Sequence, residues 1–107
     1  MISPRPQLWL YTQPTDMRKS FNGLIGLVRN KLKREPSNGH GYLFVNRRKT
    51  MLKLIYFEMH GYCIWHKRLD LGQFNFSHKD QQVLLNQTDF SALIEGIKIK
   101  KVRQFKR

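Results

Sequence analysis

The stretch "YLFVNRRKTMLKLIYFEMHGYCIWHKR", Tyr42 to Arg68, decides the fold. It holds three runs rich in β-branched and aromatic residues, Tyr42–Asn46, Met51–Phe57 and Tyr62–Arg68, interrupted only by "RRKT" and "EMHG". Connections this short join antiparallel neighbours, because a parallel return needs a crossover of about a dozen residues or more. The stretch therefore predicts a three-strand meander. Alternation along the runs turns about half of Tyr42, Phe44, Tyr56, Phe57, Tyr62 and Trp65 inward, which favours a core over a stacking platform for unpaired bases.

Working towards the N-terminus, Ser-Asn-Gly before the meander is turn chemistry, and Pro36 disfavours helix at Glu35. Ahead of that turn lies a helical pattern. Met17, Phe21, Leu24, Ile25, Val28 and Leu32 draw one apolar stripe at 3.6-residue spacing. Thr15 or Asp16 stands where a helix N-cap is expected, and Asp16 complements the positive end of the helix dipole. Gly23 and Gly26 each cost this helix about 1 kcal/mol relative to alanine, and so suggest close packing on the sheet or simple tolerance. Before the helix, Pro4 and Pro6 make an extended lead-in to a short strand, "LWLY", Leu8 to Tyr11.

Beyond the meander, Gln73–Phe76 is a candidate fourth strand, and Ser77–Gln87 reads as a loop with at most a helical turn. Thr88 or Asp89 caps a short helix, "FSALIEGI", with Gly96 as its stop. The order is β-α-β-β-β-(β)-α. It describes an α+β domain over residues 1–97, a mostly antiparallel sheet with one long and one short helix on one face, and a basic tail over 98–107. A chain of 107 residues supports one core.

The charge points to a partner. Twenty Lys and Arg face seven Asp and Glu, giving +13 and a pI near 10.4, an excess that calls for a polyanion. Nucleic acid comes first. A membrane is disfavoured, since no window approaches the ~20 apolar residues of a span and the N-terminus lacks a signal-peptide core, so a cytoplasmic location is expected. The single cysteine, Cys63, fits a reducing compartment and reads as a buried strand thiol.

The cations cluster at Arg18 and Lys19, at Arg29–Arg34, at the hairpin tip Arg47, Arg48 and Lys49, and in the tail, with Lys53, Lys67 and Arg68 on the strands beside the hairpin. Candidate nucleic-acid contacts are therefore Arg18, Lys19, Arg47, Arg48, Lys49, Lys53, Lys67 and Arg68. Lys98, Lys100, Lys101, Arg103, Lys106 and Arg107 form a secondary basic segment. Arg18 also has a structural reading, as a partner for Asp16 or Glu58.

No enzyme chemistry asks to be read here. His60, Cys63 and His66 have a ligand-like spacing, but residues three apart on a strand face opposite ways and no fourth ligand follows at a familiar distance. Of the seven acids, Asp16 and Asp89 serve as caps and Glu58 and Asp70 belong to turns; no nucleophile motif or phosphate-cradling glycine loop is present. No catalytic residue, metal or cofactor is expected.

"PTDMRKSFNGL" (Pro14–Leu24) followed by "FVNRRKTMLKLIYFEMHGYCIWHKRLDLGQF" (Phe44–Phe74) closely resembles the TnpB proteins of the insertion sequence 66 family, products of the element's second open reading frame. The resemblance covers most of residues 8–97. Its most specific motif is Pro14–Lys19, joined by Asn46-Arg47, Lys53, Gly61, Lys67–Leu69, Gly72, Phe74 and the later "LIEGI". It implies an accessory protein of a bacterial transposable element, acting beside a separate transposase that carries the catalytic carboxylates. Thr50 stands where the family usually has Asp, Met51 where it has a basic residue, and a basic tail replaces an acidic-aromatic ending. Two functions follow as expectations. One is a non-catalytic DNA-binding factor, the DNA contact being read from the charge. The other is an adaptor that docks its basic face on an acidic region of the transposase.

Overall fold

The computed structural model describes residues 6–77 and 79–95. A five-stranded sheet is formed by β1 (Leu8–Tyr11), β2 (Gly41–Val45), β3 (Met51–Glu58), β4 (Gly61–Arg68) and β5 (Gln82–Leu85), with helices α1 (Phe21–Asn30) and α2 (Gln87–Glu95). The strand order is β4-β3-β2-β1-β5. The meander β2-β3-β4 is antiparallel, in the register Phe44↔Lys53↔His66. β1 and β2 run parallel, joined through α1, and β5 closes the far edge antiparallel to β1. The α+β class therefore holds, with a mixed sheet.

Alternation along the central strands builds two cores. Tyr11, Tyr42, Phe44 and Ile55 pack with Leu24, Val28 and Leu32 of α1 and its C-terminal extension on one face. Leu10, Leu43, Val45 and Leu52 pack with Phe74 and with Leu93 of α2 on the other. The two helices thus cover opposite faces, correcting the expectation of one shared face. Gly41 is buried because chains meet there. A Cβ at this position would lie 2.7 Å from Leu8 Cδ2 and 2.9 Å from Leu54 Cδ1.

Five further expectations are corrected. The helix begins at Phe21 after Ser20, with no side-chain cap, rather than behind Thr15 or Asp16. Residues 16–19 form a turn instead, in which Lys19 N–H donates to Asp16 O at 3.1 Å, and Phe21, left at the rim, is 45% exposed. Gln73–Phe76 is not a strand. It delivers Phe74, 0% exposed, as a plug under the α2 face. The fifth strand comes from Gln82–Leu85, inside the segment expected to be a loop. Thr12, 1% exposed, ties that edge by donating its hydroxyl to the carbonyls of Asp80 and Gln81. The second helix is capped by Asn86, whose Oδ1 accepts Asp89 N–H at 2.7 Å, rather than by Thr88 or Asp89. Cys63 is half-buried rather than buried.

Gly96 and the tail cations from Lys98 to Arg107 lie outside the described residues. Among the described residues, no helix is long and apolar enough to cross a membrane.

Candidate nucleic-acid interface

At the end of the sheet where β2 turns into β3, two loops present cations side by side. The first is the Pro14–Lys19 turn. Thr15, 4% exposed, continues the β1 side of the sheet by donating its N–H to Val45 O at 2.9 Å. Asp16 then accepts Arg18 N–H at 2.9 Å, and its two oxygens grip the Arg18 guanidinium, Nε at 3.1 and 3.0 Å and Nη2 at 2.6 Å. Hydrogen bonding to Arg18 holds the Asp16 carboxyl at about 2, and the Arg18 guanidinium is pushed up in turn. With side-chain exposures of 92% for Arg18 and 44% for Asp16, this is a solvent-facing pair that orients Arg18 more than it stabilises the fold.

Lys53 fastens this turn to the sheet. Rising from the middle of β3 on the α1 face, its Nζ donates to Met17 O at 2.9 Å and Lys19 O at 2.7 Å. Two carbonyls that the turn leaves open are thereby satisfied.

The second loop is the hairpin tip Arg47–Thr50, and Asn46 organises it. Asn46 Oδ1 accepts the N–H groups of Thr50 (2.8 Å) and Met51 (3.0 Å), while its Nδ2 donates to Thr50 Oγ1 at 3.1 Å. Lys49 takes the left-handed conformation that closes the turn, with φ 61°. From the β4 side, Leu69 N–H donates to Thr50 O (2.8 Å), Phe74 N–H to Lys49 O (2.7 Å) and Gln73 Nε2 to Arg48 O (2.8 Å). A tip held on so many backbone atoms is rigid. Arg47 and Arg48 are exposed on it.

Between the two loops runs an open cleft of about 590 Å³, lined by Pro14–Met17, Asn46–Arg48, Thr50 and Met51. A second cleft of about 370 Å³ shares Met51 and continues past His66, Arg68 and Asp70. Burial, with the nearby charges of Lys53 and Arg68, pushes the His66 imidazole below its ordinary value.

The candidate cations separate by position. Arg47 and Arg48 line the first cleft and Arg68 the second, 3.6 Å from Asp70, while Arg18 faces solvent on the turn beside the first. Lys19 is exposed beside the first turn, its side chain near Gly23. Lys49 reaches over the Phe76 ring, 4.8 Å from the centroid. Lys53 is engaged under the turn. Lys67 lies on the opposite face, its Nζ donating to Ile94 O at 2.6 Å and so tying down the end of α2. Arg34, from the cluster closing α1, stacks 3.4 Å over the Trp9 ring and donates to Gln82 Oε1 at 2.8 Å. Cys63 and His66 project from opposite faces of β4, and among the described residues no three His, Cys, Asp or Glu side chains converge.

Comparison with known proteins places the chain in a family. The model of the family described as IS66 Orf2 like protein matches residues 6–104 of the 107. The chain belongs to that family. It is therefore an insertion-sequence accessory protein by membership. Two Sinorhizobium fredii proteins are similar to it, both named as uncharacterized. Protein y4hO is 34% identical over 92 residues, covering 85% of this chain and 80% of the relative. Protein y4jC is 32% identical over 107 residues, covering 97% and 92%. No solved structure matches the chain.

Of the motifs that carry the IS66 Orf2 resemblance, Pro14–Lys19, Asn46-Arg47, Lys53 and Phe74 meet at this end of the sheet, whereas Gly61 lies at the opposite end of β3 and Lys67 on the α2 face. Thr50, in place of the usual Asp, supplies the hydroxyl that accepts Asn46 Nδ2. Reading residue types for charge left Asn46 to the family motif and weighed His66 only as a metal ligand, so neither was expected to shape the cationic end. The available signal for Asn46 was an amide at the first position of a four-residue turn, the usual place for a side chain that bonds back to its own loop.

Proposed function

We propose that the protein is a non-catalytic DNA-binding accessory factor, acting on transposon ends or target DNA beside a separate transposase. The observation that carries this reading is the hairpin tip. Asn46, Phe74 and Gln73 hold its backbone while Arg47 and Arg48 face solvent, and Asp16 grips the exposed Arg18 on the neighbouring turn. Flexible cations on a rigid edge engage phosphates without paying to order the loop that carries them. The net charge of +13 supplies long-range attraction to the polyanion. The contacts assigned to DNA are Arg18, Lys19, Arg47, Arg48, Lys49 and Arg68. Lys53 and Lys67 act as struts.

A salt-titrated binding assay of the full chain against a DNA duplex tests this. Binding that weakens steeply as salt rises is expected. Absence of binding at low salt would instead assign the basic face to an acidic region of the transposase, the adaptor function.

A further inference from the structure

We propose that this surface reads the phosphate backbone of duplex DNA and not its base sequence, an inference that rests on the DNA-binding reading above. Two independent features carry it: the width of the tip and the state of its base-reading side chains.

Reading bases directly requires an element that enters the major groove, about 12 Å wide, which admits one helix or a two-stranded ribbon. The β2–β3 tip is not a free ribbon. Thr15 N–H bonds Val45 O on one flank and Leu69 N–H bonds Thr50 O on the other, so four chains run abreast where the hairpin turns. At about 4.8 Å per strand they span roughly 14 Å before any side chain is added. The end of the sheet is wider than the groove, and its cations meet the groove's phosphate walls rather than its floor.

The side chains that read adenine or cytosine edges are also spent. Asn46 uses Oδ1 on two backbone N–H groups and Nδ2 on Thr50 Oγ1, which occupies that hydroxyl as well. Gln73 gives Nε2 to Arg48 O, which leaves only its Oε1 to accept, and both Asp16 oxygens are given to Arg18. On the tip, Arg47 and Arg48 offer guanidinium forks that suit phosphate oxygens; the same fork reads guanine only from inside the major groove, which the width of the tip denies it.

The test is fluorescence anisotropy of the full chain against two labelled duplexes of equal length and composition, one carrying the terminal sequence of the encoding element and one scrambled, each titrated with salt. A single base readout changes affinity by about fivefold or more. Affinities within about fivefold of one another and equal salt slopes are expected at about 150 mM salt. A larger preference for the element's end overturns backbone-only reading and leaves DNA binding intact. No salt-dependent binding to either duplex overturns both.

Discussion

At the residue scale, Asp16 shows how a sequence pattern gives the right chemistry in the wrong place. An Asp ahead of an apolar stripe is what a helix cap looks like, yet its carboxylate serves the next turn, closing on the N–H and guanidinium of Arg18. The Asp16–Arg18 contact was legible as an option because the two residues stand two apart; the delayed helix start was not, because a cap and an Asx turn draw on the same residue types. The pairing makes a pH prediction. Since the folded carboxyl titrates at about 2, below its ordinary 3.8, its stabilising contribution is present above pH 4 and is lost as pH falls towards 2. Thermal melts of the wild type and Asp16→Asn should differ by a constant Tm offset from pH 5 to 8. That offset should shrink between pH 4 and 2.

At the element scale, the meander was the most readable part of the chain. Its three runs differ from the observed strands by a residue or two at the ends. The turn between β3 and β4 carries a cost the sequence does not advertise. Met59 and His60 both adopt left-handed backbone, φ 51° and 69°, where a two-residue hairpin favours Asn-Gly. Replacing them together, Met59→Asn with His60→Gly, should raise the unfolding free energy by about 1–2 kcal/mol in urea titrations. DNA affinity should not change, since this turn lies at the opposite end of β3 from the cationic tip. β5 was missed because Gln82–Leu85 is a four-residue edge strand, and Leu84, 47% exposed, breaks the expected inside-outside contrast. Likewise, an apolar stripe says that a helix has a buried side but not which face of the sheet receives it, so α2 was assigned to the wrong one.

At the scale of the whole molecule, a mixed sheet with a core on each face leaves one end to carry two cationic loops. Net charge alone pointed to a polyanion, and Arg18, Arg47, Arg48 and Arg68 were legible as surface cations. Lys53 and Lys67 were not separable from them by residue type, because an ammonium bonding a distant carbonyl looks in sequence like one facing solvent. Their tethers, to Met17 and Lys19 in one case and Ile94 in the other, come only from the folded chain. The central claim is that Arg47 and Arg48, on their braced tip, are phosphate contacts. The most direct measurement compares the salt dependence of DNA binding for the wild type and the Arg47→Ala/Arg48→Ala variant, with a urea titration confirming equal stability. Weaker binding is expected, with a log–log salt slope shallower by about 1.8, roughly 0.9 for each lost contact. Unchanged affinity and slope in a folded variant would contradict the account and remove the hairpin tip from the interface.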